Sequence, residues 1–278
     1  MAACPSKRQM MSEAINLAVI GGGQMGRALV SGMLAADVVQ GDHVRLVDRN
    51  PASKQWWATN HPEVVITDLP AAVSDSDVVL LAVKPHGMES VAKQKGRFWN
   101  KKLVMSVAAG VSLGSLGQWI GHERVVRVMP NTPCLVGLGA CGYCVPEGFP
   151  DADIAIVEAM LGAVGISVKV LEKQMDAVTG VSGSGPAYVF LMIEAMADGG
   201  VKAGLPRPLA MQLATQTVMG AAKMVAETGR HPGELKDSVA SPGGTTIAAL
   251  ATLEHNGFRS AVIEAVAAAA NRSRELGG

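Results

Sequence analysis

Ile15-Asn16-Leu17-Ala18-Val19-Ile20-Gly21-Gly22-Gly23-Gln24-Met25-Gly26 carries the chain from a branched apolar run into a glycine turn. The run through Ile20 predicts a short buried strand. Met25, Leu29 and Met33 follow at spacing four, with Gly32 and Ala36 beside them, and predict a helix with one packed face. A strand, then Gly21-x-Gly23-x-x-Gly26, then a helix is the setting in which this pattern binds a dinucleotide. The first glycine makes the turn, the second admits a pyrophosphate, and the third lets helix and strand pack closely. The helix start then offers free N–H groups and a positive dipole. Gly21, Gly23, Gln24, Met25 and Gly26 are therefore candidate cofactor residues.

Outward from this stretch the same alternation continues. Val44–Val47, Val64–Ile66, Val78–Val83, Leu103–Val107 and Val125–Val128 read as strands, with helical segments between them, the first from Ala52. Short branched strands separated by helices predict an α/β fold, a Rossmann-type doubly wound parallel sheet covered on both faces. Ligands in such sheets bind at the carboxyl ends of the strands. Asp48, 22 residues past Gly26, is placed to accept from an adenosine ribose, whereas Arg49 and Asn50 are placed to hold a 2′-phosphate. Val83, Lys84 and Pro85 end the fourth strand, and the small Ala108 and Ala109, which leave room for a flat ring, follow the fifth. After the sixth, two prolines fix a loop in which Asn131 offers an amide suited to a carboxamide.

The second half changes character. From about Glu172 no strand is expected. Pro186–Val201 and Pro208–Ala226 are apolar on nearly every side, and Gly243–Glu254 and Phe258–Glu275 complete a helical set. A helix apolar all round is buried all round, and a domain of about 100 residues has little interior. The expected cover is a second subunit, with methionines filling the seam. Two clusters of small residues open helices here, Thr179–Pro186 and Ser241-Pro242-Gly243-Gly244-Thr245-Thr246. Glycines, hydroxyls and free N–H groups at a helix start suit a carboxylate.

Composition narrows the function classes. Lys plus Arg is 24 and Asp plus Glu is 24, which leaves no global field to gather nucleic acid or an acidic membrane. Aromatics are 4%, too few for base-stacking platforms. Residues 1–14 read as a flexible tail. No stretch reads as a bilayer helix or an export signal, so a reducing, cytoplasmic compartment is expected, with free thiols. Cys141-Gly142-Tyr143-Cys144 spells a C-x-x-C, but a turn follows it where a redox pair needs a helix start. With no second ligand pair spaced for zinc, no metal is expected.

The Gly-x-Gly-x-x-Gly is followed in order by Ala-Val-Lys-Pro at 82–85, Val-Ala-Ala-Gly-Val at 107–111 and Arg-Val-Met-Pro-Asn-Thr-Pro at 127–133. Gly-Ser-Gly-Pro-Ala-Tyr at 183–188, Lys-Asp-x-Val at 236–239 and Ser-Pro-Gly-Gly-Thr-Thr-Ile at 241–247 come next. Together they resemble the pyrroline-5-carboxylate reductase family, from Leu17 to Leu276. The resemblance implies an oxidoreductase of the last step of proline biosynthesis. It reduces 1-pyrroline-5-carboxylate to L-proline with NADPH, or alternatively NADH. It also implies a dinucleotide-binding domain over 15–171 and an all-helical dimerisation and substrate domain over 172–278. The protein would be a homodimer, or a higher oligomer such as a decamer. By analogy, Thr246 is the catalytic residue, hydrogen-bonded to the ring nitrogen, Ser241, Gly244 and Thr245 hold the substrate carboxylate, and Glu172 lines the substrate site. The alternatives are another NAD(P)-dependent imine reductase, a 3-hydroxyacid dehydrogenase, or a non-catalytic NADP-binding regulator. The dehydrogenase would need a lysine and an asparagine where Val189 and Ile193 stand.

Overall fold

The computed structural model describes residues 15–94 and 99–277; the expected flexible tail over 1–14, with Cys4, lies outside the described residues. Strand β1 (Leu17–Ile20) leads through the glycine turn into helix α1 (Gln24–Ala35). Then come β2 (Val44–Val47), α2 (Pro51–Asn60), β3 (Val65–Ile66), α3 (Leu69–Ser74), β4 (Val78–Leu81) and α4 (Pro85–Ala92). β5 (Leu103–Ser106), α5 (Leu113–Ile120), β6 (Val125–Met129), β7 (Gly139–Cys144), α6 (Asp151–Gly162), β8 (Gly165–Lys169) and α7 (Met175–Val178) follow.

Local chemistry sets several of these boundaries. The Asn50 side chain accepts from the Ala52 N–H and Pro51 opens α2; the Asp68 side chain accepts from the Ala71 N–H to open α3. Ser112 caps α5 by accepting from the Ser115 N–H, and Gly121, at φ +89°, ends it in the left-handed region.

The strands form one eight-stranded sheet in the order β3-β2-β1-β4-β5-β6-β7-β8. Leu17 and Val19 of β1 face one apolar core with Leu29, Met33 and Trp57, while Ala18 and Ile20 face a second with Leu69, Met88 and Leu116. Both faces are therefore covered, as expected of buried strands. The expectation of a wholly parallel sheet needs one correction: β7 runs antiparallel to β6. Only nine residues separate Met129 from Gly139, too few for a parallel crossover. The strand order changes direction at β1, whose neighbours are β2 and β4. The crevice above their carboxyl ends is the expected ligand site.

The remaining helices are α8 (Gly185–Lys202), α9 (Arg207–Thr228), α10 (Pro232–Ser238), α11 (Thr245–His255) and α12 (Phe258–Gly277). By contact the chain forms two compact units, one reaching Gly183 and taking in the end of α12 from Ala269, the other spanning Ser184–Ala268. The division expected at 171/172 falls 12 residues before that contact boundary. In the first unit the Ser273 hydroxyl donates to Asp176 at 2.8 Å. In the second, α8 and α9 pack through small residues: Ala197, Ala210 and Ala214 are its buried apolar cluster. A Cβ added to Gly200 would lie 3.0 Å from that of Ala210, so the two helices approach closely there. Ile193 and Val201 pack partly against this cluster, but many large apolar side chains of the unit are exposed, Phe190 at 62% and Leu191 at 67% among them. No helix is long and apolar enough to cross a membrane among the described residues.

Candidate active site

The glycines after β1 have separate jobs. Gly21 sits at φ +104°, and a Cβ there would come within 2.7 Å of the Ala82 carbonyl oxygen. A Cβ on Gly26 would overlap the Gly21 carbonyl oxygen. A Cβ on Gly23 would meet nothing within 4 Å. Turn, close packing and open space thus fall to the first, third and second glycine of the pattern, the distribution a pyrophosphate needs. Gly23 caps α1 without a side-chain hydrogen bond, and the first turn holds no acid. That leaves the positive end of the helix to an anion.

Asp48 ends β2 beside this loop. Its carboxylate accepts from the Gly22 N–H at 2.8 Å and from the Asn50 N–H at 2.9 Å. Burial pushes its pKa up, but hydrogen bonds from Asn50, Ser53, Gly22 and Arg49 outweigh that and hold it below the ordinary carboxylate value. The charge is thus spent largely on the loop itself.

A cavity of about 950 Å³ opens at the carboxyl ends of β1, β2 and β4. Gly21, Gly23, Gln24, Asp48, Arg49 and Asn50 line it, as do Val83 and Lys84. Arg27 and Lys54 add to Arg49 and Lys84, against the acids Asp48 and Asp68, so its rim favours a polyanion. Lys84 is the N-cap of α4, with Pro85 at the first helical position and no side-chain cap bond. Met25 packs against the core, and Gly26 is buried.

Ala108, Ala109 and Asn131 are not among the residues lining this cavity. Ala108 is buried in the second core. The Asn131 amide is already engaged: Oδ1 accepts from the Ala140 N–H at 2.9 Å and Nδ2 donates to the Ser182 carbonyl at 3.1 Å. It therefore ties the loop after β6 to β7. Glu172 accepts from the Leu113 N–H at 2.7 Å and lies 3.5 Å from the Arg127 guanidinium, which fastens the start of α5.

In the second unit, Gly243 turns the chain at φ +68°, the Gly244 N–H donates to the Ser241 carbonyl, and Gly244 caps α11 without a side-chain bond. A Cβ on Gly244 would overlap the Ser241 hydroxyl oxygen. Thr245 and Thr246 form the first turn, which holds no acid. This helix start is suited to a carboxylate as the start of α1 is suited to a phosphate.

The C-x-x-C lies on β7, where residues three apart point to opposite faces. Cys141 is buried in the first core and Cys144 in the second. The neighbour of the Cys141 thiol is instead Cys134, 3.7 Å away. The contact with Cys134 and burial push Cys141 up, and its hydrogen bond pulls Cys134 down. Burial pushes Cys144 up to about 12. Sequence spacing singled out 141 and 144 and missed 134, which the turn after β6 brings back.

Over 266 residues, 95% of this chain and 96% of the relative, the sequence is 46% identical to a pyrroline-5-carboxylate reductase of Arabidopsis thaliana. The chain belongs to the pyrroline-5-carboxylate reductase family. Residues 172–276 match the family model described as pyrroline-5-carboxylate reductase dimerisation, and residues 16–110 that of NADP oxidoreductase, coenzyme F420-dependent. Solved structures of the family share the fold. That of the Coxiella burnetii reductase superposes with a TM-score of 0.88 at 35% identity, over 96% of this chain and all of the other. The Plasmodium falciparum pyrroline carboxylate reductase, solved with NADP bound, gives 0.85 at 35% identity over 95% of this chain and 98% of its own.

Proposed function

We propose that this chain reduces 1-pyrroline-5-carboxylate to L-proline, the last step of proline biosynthesis, with NADPH as its preferred reductant and NADH as the alternative. The 46% identity to the Arabidopsis reductase across nearly both full lengths carries the reading. The cavity supports it, because the residues present fit the dinucleotide: free space at Gly23, an α1 start with no side-chain cap bond and a cationic rim. Residues 15–171 form the dinucleotide-binding part and residues 172–278 the dimerisation and substrate part.

Gly23, Gln24 and Met25 hold the diphosphate at the start of α1, in a loop whose turn Gly21 makes and whose close packing Gly26 permits. Arg49 and Asn50 take the 2′-phosphate, a reading supported by the inward engagement of Asp48. Val83, Lys84 and Pro85 flank the cofactor, with Ala108, Ala109 and the remaining N–H of Asn131 towards its nicotinamide end. Ser241, Gly244 and Thr245 hold the substrate carboxylate, and Glu172 lines the substrate side. Thr246 hydrogen-bonds the ring nitrogen and relays its proton. The bound cofactor supplies a hydride to the carbon of the C=N bond. A protonated imine is already a strong hydride acceptor, so positioning is the main demand, worth up to about 7–11 kcal/mol.

The protein works as a homodimer, or as a decamer built from dimers, a reading supported by the apolar side chains that α8 and α9 leave exposed. It acts in the cytoplasm. The test is steady-state reduction of 1-pyrroline-5-carboxylate with each cofactor, for the native protein and Thr246→Ala. NADPH gives the higher kcat/KM, and Thr246→Ala lowers kcat by about 10–1,000-fold with cofactor affinity retained. A variant of native kcat would remove Thr246 from the chemistry.

A further inference from the structure

The peptide between Gly22 and Gly23 is gripped from behind. Its carbonyl oxygen accepts from the Ser53 hydroxyl at 2.8 Å, the Trp57 indole N–H at 3.0 Å and the Arg27 Nε–H at 3.2 Å. A carbonyl has two lone pairs, so a third donor is beyond the usual complement. Two of the donors, Ser53 and Trp57, are buried and lie four apart on α2. The third is steadied in turn: the Arg27 guanidinium lies 4.3 Å over the Trp56 ring. A Cβ on Gly22 would come 2.5 Å from the indole nitrogen, so glycine is what permits the approach.

The grip has a directional consequence. A trans peptide is planar, and its C=O and N–H point opposite ways. Fixing the Gly22 oxygen towards α2 therefore aims the Gly23 N–H away from α2. Gly23 lines the cavity, and the space beside its α-carbon is open. Donors on the carbonyl also polarise the peptide and strengthen its N–H as a donor.

We propose that Trp57, seconded by Ser53, is a positioning residue for cofactor binding, which aims the Gly23 N–H at the diphosphate through the Gly22 carbonyl. The inference rests on reading this cavity as the dinucleotide site. The diphosphate is common to both nicotinamide cofactors, so the effect of Trp57 is the same for NADPH and NADH. Ser53 is the less clean probe, because its single hydrogen also has the Asp48 carboxylate in reach.

Trp57→Phe keeps an aromatic ring at this buried position but removes the N–H together with the pyrrole part of the indole, so the melting temperature is measured beside the binding. Calorimetric titration with NADP+ and NAD+, together with steady-state kinetics, reads the result. The variant weakens both cofactors by about three- to tenfold, the effect of one hydrogen bond. Its kcat and its KM for 1-pyrroline-5-carboxylate stay within about twofold of native, which a merely structural loss of active protein would not produce. Trp119→Phe, a half-buried tryptophan outside the grip, leaves both affinities unchanged. If Trp57→Phe does not fold, Ser53→Ala carries the test, with Ser53→Thr restoring affinity. Unchanged cofactor affinity in a folded variant, or a loss confined to one cofactor, overturns the role of Trp57. Native protein that binds neither cofactor overturns the dinucleotide reading, and this inference with it.

Discussion

Gly23 and Gly26 stand three residues apart at the start of one helix, and their surroundings separate binding from folding. Gly23 has an extended backbone, at φ −72° and ψ −168°, and open space beside it. Gly23→Val therefore folds, with a melting temperature within a few degrees of native, and loses cofactor binding because its branches fill the pyrophosphate's place. Gly26→Val instead drives a side chain into the Gly21 carbonyl, an overpacking that costs about 1–3 kcal/mol or more and shows first as a lowered melting temperature. Calorimetry and cofactor titration on the pair check both outcomes; a Gly23→Val variant with native affinity contradicts the assignment. Both glycines were legible from spacing alone. The donors behind Gly22 were not: Ser53 and Trp57 share a helix face by their spacing, but nothing in the sequence says which atom that face meets.

At the scale of elements, the apolar strands announced themselves and the glycine-containing ones did so only in part. β1, β2, β4, β5 and β6 are short branched runs, and each falls within a residue or two of the stretch that predicts it. Leu138-Gly139-Ala140-Cys141 reads as a strand and so marks part of β7, but neither its direction nor the strand beside it shows in the sequence. Gly139 and Gly165 pair across β7 and β8, too close for any side chain between them, and Gly142 makes room for Val178. These glycines erase the branched pattern that marks a strand. β8 also leaves Ile166 and Val168 exposed, so it carries no contrast of faces. The strand geometry of β7 settles the C-x-x-C, since thiols on opposite faces of a sheet cannot bridge without moving the backbone. Cys141→Ser/Cys144→Ser retains native turnover under reducing conditions, and peptide mapping of the folded native protein after mild oxidation finds no bridge between 141 and 144. Activity that follows the redox state of that pair would contradict the geometry. The Asn131 loop shows the complementary limit: its composition announced a polar contact, while its partners, Ala140 and Ser182, lie on segments only the fold brings near.

For the whole molecule, the contrast is between a first unit with two large apolar cores and a second unit whose buried apolar cluster is three alanines. The helical domain was legible as a set of helices too apolar for a surface, and the exposed Phe190, Leu191, Leu213 and Met219 are where that excess lies. Homodimer interfaces are apolar at their centres, which matches such a surface. If that surface is covered by a second copy, stability and turnover depend on chain concentration. The decisive measurement joins both properties: light scattering on a dilution series, with NADPH consumption and L-proline formation assayed on the same fractions after addition of 1-pyrroline-5-carboxylate. The expected result is one L-proline per NADPH consumed, in fractions with the mass of two chains or more, with activity falling as the assembly dissociates. Fractions that consume no NADPH, or a fully active species with the mass of one chain, would contradict it.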